Sequence, residues 1–146
     1  MNTYITKNSM DRQRVKRRRF PKDFRKVSNY IRDNRGIHVV LSESTEFTGF
    51  FDREIRIHHN YDLRKNGLFV LLFEVGKSLQ SLSRQTNQFD KETHPQEWNH
   101  YQYIIDKEAW ETAYELSNML KIELDWHDFS KFKYNHLLKY FSNKTN

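Results

Sequence analysis

Residues 73 to 77 read Phe-Glu-Val-Gly-Lys, and they sit in the stretch with the clearest helical pattern. Leu68, Leu71, Leu72, Val75 and Leu79 recur at spacings of three and four, which predicts one amphipathic helix from Leu68 to Gln80. Two histidines four apart on such a helix grip zinc, and a glutamate next to the first polarises the metal-bound water. Glu74 and Gly76 fit that pattern, but Phe73 and Lys77 stand where the histidines would. Phenylalanine has no lone pair to give, and a lysine ammonium repels a metal cation. The chemistry left at this helix is that of a carboxylate beside an ammonium.

Composition bounds the elements that must position these residues. A chain of 146 residues with 15% aromatics is long enough for one folded domain with a real core. With no cysteine, disulfides and thiolate zinc sites are excluded, and His, Asp and Glu are left as the strong metal ligands. This absence fits a reducing compartment, and we expect a cytoplasmic protein. No apolar run reaches membrane-spanning length, so no membrane partner is expected. The net charge of +6 is unevenly placed. Residues 1–26 hold ten Lys and Arg against Asp11 and Asp23, while the remainder is slightly acidic. Residues 1–21 therefore read as a basic arm and 22–146 as a single domain. Arg12, Arg14, Lys16, Arg17, Arg18 and Arg19 are candidate contacts to nucleic acid phosphates or to an acidic protein partner, with the nucleic-acid surface extending over residues 11–26. A solvated tail is the bland alternative.

Pro21 sets a boundary, and Lys22 to Asn34 follows as a helix with Phe24, Val27, Tyr30 and Ile31 on one stripe and Gly36 closing it. Ile37 to Ser42 reads as a strand, and so do Thr45 to Phe51 and Glu54 to His59. Adjacent residues of a regular strand face opposite ways, so His58 and His59 are not expected to share a metal. Ser81 to Asn99 is polar and reads as a long loop or lid. Tyr101 to Lys121 is a helix with Ile105, Ala109, Ala113, Leu116 and Leu120 as its apolar stripe and Glu108, Glu111 and Glu115 as a solvated acidic one. Asp125 or Asp128 caps a last helix whose apolar side is Trp126, Phe129, Phe132, Leu137, Leu138 and Phe141. No ligand spacing connects His100, His127 and His136.

The ordered set Gly-Phe-Phe-Asp (49–52), Ile-Arg-Ile-His (55–58), a Glu-x-Gly helix and Glu-Ala-Trp (108–110) resembles small zincin-like metallopeptidase domains of the ImmA/IrrE and SprT-like type, particularly short phage-encoded members. The resemblance covers roughly residues 36 to 140. It implies an α+β, zincin-like fold with a small antiparallel or mixed sheet and about four helices. It implies that Ile55, Arg56, Ile57 and His58 form an edge strand that holds extended peptide. It places Phe73 and Lys77 at the two histidine ligands, Glu74 at the general base and Glu108 at the third ligand, with Glu111 the fallback one turn on. With both histidines replaced, we expect a pseudo-site of Phe73, Glu74, Lys77 and Glu108 that holds no metal or cofactor. A Lys77–Glu108 ion pair would take over the metal's tie between the two helices, and Phe73 would fill the emptied volume. The expected role is a catalytically silent binding or regulatory module with a protein partner, in the host cytoplasm if phage-encoded. A nucleic-acid-binding accessory protein acting through the arm is the alternative. A further one is an active zinc peptidase rearranged around His58 or His59 with Glu74 and Glu108.

Overall fold

The structure is a computed structural model and describes residues 20–43, 49–51, 53–81 and 85–142. Among the described residues it is an α+β arrangement of a three-stranded sheet, four helices and a final helical turn. Helix α1 (Lys22–Arg35) follows Pro21, whose extended backbone starts it. Gly36 ends it in the left-handed region at φ 66°, with its N–H on the Arg32 carbonyl and the next N–H, from Ile37, on the Ile31 carbonyl. This double closure favours glycine, and the buried Ile37 beyond it anchors the turn. Phe24, Val27 and Ile31 are buried as their spacing predicts.

Strands β1 (His38–Ser42), β2 (Gly49–Phe51) and β3 (Glu54–His58) form one mixed sheet in the order β1-β3-β2. Strand β1 runs parallel to β3 with Val39 opposite Ile55 and Leu41 opposite Ile57. Strand β2 runs antiparallel to β3, with Gly49 opposite Arg56 and Phe51 opposite Glu54. The expectation that Ile55, Arg56, Ile57 and His58 form an exposed peptide-holding edge is therefore corrected: β3 is the central strand. Alternation shows which face of a strand is wet, and here it buries Ile55 and Ile57, but it cannot show which strands lie alongside. The edges are β1 and β2.

Helix α2 (Asn66–Ser78) is the hub. It packs most heavily on α3 (Pro95–Met119) and also meets α1, β3 and α4 (Trp126–Leu137). Every residue from Gly67 to Gly76 is buried except Glu74. Helix α3 starts at Pro95, six residues before the predicted Tyr101, because proline in a first helical turn costs no hydrogen bond. Residues 95–99, read as part of a loop, are helix. Asp125 caps α4, its side chain accepting from the Asp128 N–H at 3.0 Å. Of the apolar residues expected to line this helix, Phe129 and Leu137 are buried, while Trp126, Leu138 and Phe141 are exposed. A short turn, α5 (Lys139–Ser142), follows. Among the described residues no helix is long and apolar enough to cross a membrane.

Candidate functional site

The contact between α2 and α3 is built around Gly76. A Cβ there would fall on the Ala109 carbonyl oxygen and lie 3.2 Å from the Ala109 carbonyl carbon. The two backbones meet here with no side chain between them. On α3, Asp106, Ala109, Trp110 and Ala113 are all buried and share the face that meets α2, at spacings of three, four and seven. Glu108 lies on the far side of that face and is half-exposed.

That geometry corrects the expected ion pair. Lys77 reaches Asp106, with Nζ 3.4 Å from Oδ1, and not Glu108. Asp106 is only 2% exposed. The Tyr140 hydroxyl donates to its Oδ2, and Lys139 Nζ lies 3.6 Å from that oxygen. Three elements thus converge on one carboxylate: α2 through Lys77, α3 through Asp106 itself, and α5 through Lys139 and Tyr140. Asn99 ties α5 down further by donating to the Tyr140 carbonyl at 2.7 Å.

Phe73 packs beside this cluster. Its ring lies 4.7 Å from Trp110 and 4.7 Å from His136, with Lys77 Nζ 5.9 Å away. His136, like Asp106, Lys139 and Tyr140, is a site residue that sequence reasoning missed. The Trp110 indole N–H, a donor only, points at His136 Nδ1 at 3.1 Å. A neutral His136 therefore carries its proton on Nε2, which faces the Lys139 ammonium at 3.3 Å, while the same ammonium lies 3.6 Å from Asp106 Oδ2. Burial first, then Lys139, push the His136 ring down to about 4, against the pull of Asp106. Burial and the bond to Asp106 raise Tyr140, which stays a neutral donor. Burial pushes the Glu74 carboxyl up to about 7, with Lys77 opposing, Asp106 adding and Lys139 opposing.

These two displaced groups act on stability in opposite directions. The folded chain holds a Glu74 proton that the unfolded chain loses near 4.5, so stability falls as pH rises from about 4.5 to about 7. His136 is held below its ordinary 6.5, so stability falls as pH drops from 6.5 toward about 4. Over the shared window the slopes cancel in part. Glu74→Gln is expected to be more stable than the parent above pH 7 by about 2 kcal/mol, equal to it below pH 4.5, and to show the His136 slope uncovered. Urea midpoints measured across this range check it, and a constant offset between the two proteins at every pH would refute it.

His58 and His59 do approach each other, with ring centroids 4.9 Å apart, because β3 ends at His58 and alternation no longer applies. Both His58 ring nitrogens face backbone, however: Nε2 lies 3.3 Å from the Glu43 carbonyl oxygen and Nδ1 accepts from the Asn60 N–H. Among the described residues no group of three or more His, Cys, Asp or Glu side chains could hold a metal ion. The positions that the resemblance assigns to zinc ligands do not fit zinc, since Phe73 holds a ring without donors and Lys77 an ammonium paired with Asp106. The basic residues Arg12, Arg14, Lys16, Arg17, Arg18 and Arg19 lie outside the described residues. No family model, no curated protein and no solved structure matches this chain.

Proposed function

We propose that this chain is a zincin-like scaffold in which a salt-bridged plug stands where the metal centre would be, and that it serves as a catalytically silent binding or regulatory module in the cytoplasm. The observation that carries this reading is the Lys77–Asp106 pair, with Nζ 3.4 Å from Oδ1. It joins the same two helices that a shared metal would join, and it does so with an ammonium at one of the ligand positions. Phe73, tilted against Trp110 and edge-on to His136, closes the volume from the other ligand position. Glu74 is half-buried, and a carboxylate with a pKa near neutrality can serve as an acid or base, but Phe73 and Lys77 beside it supply no pair of metal ligands for it to work with.

A protein partner would be taken at a sheet edge by strand addition, and the topology directs it to β1 or β2, since β3 has neighbours on both sides. Elemental analysis of the purified, untagged protein after incubation with zinc tests the proposal. We expect near-zero zinc per chain. About one zinc per chain would overturn it, and a peptidase assay with Glu74→Gln as control would then be the next step.

A further inference from the structure

The outer side of α1 carries a feature unrelated to the α2–α3 cluster. Flanking the buried Phe24, Val27 and Ile31, the residues Arg25, Ser28, Asn29 and Arg32 follow at spacings of three, four and seven and so share one face. Together with Phe20, His38 and Val39 they line an open cavity of about 170 Å³. That is well below the roughly 300–1,000 Å³ of sites for drug-sized ligands, which points to a small group. Its polar lining consists of two guanidiniums, an imidazole, a hydroxyl and a carboxamide.

Each arginine is anchored by one donor and keeps the rest of its fork. Arg25 Nη2 donates to the Phe20 carbonyl at 3.0 Å. Arg32 Nε lies 3.1 Å from Asp33 Oδ1, a pair exposed to water on both sides and so weakly held. A guanidinium has five N–H donors in a planar array that suits tetrahedral oxyanions. Ser28 and Asn29 add neutral donors between the two forks. Phe20 lies on the cavity wall, directly after the run Arg17, Arg18 and Arg19 in sequence.

We propose that this cavity is a phosphate pocket that seats one backbone phosphate of a nucleic acid, in continuity with the basic run that precedes it. The size and the paired guanidiniums select a phosphate-like group. The ten basic residues within the first 26 select a polyanion over a lone ion. Such contacts are blind to base sequence, so the pocket sets position and salt sensitivity and leaves base specificity to other contacts.

The test uses the full chain and a short fluorescein-labelled DNA duplex, followed by anisotropy over a range of salt concentrations. Arg25→Ala/Arg32→Ala is expected to weaken binding about tenfold at moderate salt and to reduce the slope of log affinity against log salt by up to about 2. Lys107→Ala/Lys131→Ala removes the same charge from exposed sites that do not line the cavity, and is expected to lose much less. Equal losses in the two variants would reduce the pocket to generic surface charge and overturn the proposal. So would binding of phosphatidylserine vesicles that shows the same Arg25/Arg32 dependence while the duplex shows none, or loss of inorganic phosphate binding alone, which would mark an adventitious ion only. Thermal melting of both variants confirms folding, and Arg32→Ala by itself, at an exposed position, gives the same direction of change without touching the Arg25 bond to the Phe20 carbonyl.

Discussion

Asp106→Ala is expected to destabilise the fold by about 3 kcal/mol, measured as a shift in urea unfolding at neutral pH. The loss has two sources. Tyr140 is buried and loses the acceptor for its hydroxyl, and an unmet buried donor costs roughly 1–3 kcal/mol. Lys77 and Lys139 also lose the carboxylate that holds them side by side. That second part must be discounted, because their side chains are 33% and 54% exposed and turn to water. Asp106→Asn keeps an acceptor for Tyr140 and is expected to lose only about half as much. Glu108→Ala, at a half-exposed position on the other face of α3, is expected to cost less than about 1 kcal/mol. The reverse ranking, with Glu108 the more damaging position, would restore the pairing that the sequence suggested and sink the one described here.

The second large effect belongs to Gly76. Alanine is the better helix former by about 1 kcal/mol, so Gly76→Ala would stabilise a free helix. Here the new methyl meets the Ala109 carbonyl, with the Ala113 nitrogen 3.4 Å away. These are backbone atoms of a neighbouring helix, and no rotamer change can relieve the contact. Separating α2 from α3 would also disturb the buried surfaces of Leu72, Val75, Trp110 and Ala113. Overpacking of this kind costs on the order of 3 kcal/mol, net of the gain in propensity. Chemical denaturation measures it. A neutral or stabilising Gly76→Ala would mean that the helices lie further apart than described.

Gly76 was visible in the sequence as a glycine inside an otherwise strong helical pattern, and so were the apolar faces of α1 and α2, the closing Gly36 and, as one of two candidates with Asp128, the capping Asp125. Each is set by residues a few places apart. Asp106 was passed over because an aspartate on an amphipathic helix reads as solvated, while Glu108 drew attention through its place beside Ala109 and Trp110. The sequence did hold the signal. Asp106 precedes Ala109, Trp110 and Ala113 by three, four and seven residues, which puts it on their face. His136 had no such signal, since it enters the site only because α4 packs its ring against Phe73 and Trp110. The central position of β3 was equally hidden. The chain leaves β1, passes to the far side of β3 and returns through β2, and no local alternation encodes that path.

The route by which Asp106 is neutralised bears on synthesis at the ribosome. Its partners are Lys77, 29 residues earlier, and Lys139 and Tyr140, more than 30 residues later. A nascent chain that has released α2 and α3 but not α5 holds both helices of the hub and only one of the groups that satisfy the carboxylate between them. Docking of the two helices before that moment buries a charge with a single cation and no hydroxyl. The hub should therefore lock late, as Tyr140 emerges, and the aromatic and aliphatic face of α2 stays accessible to chaperones until then.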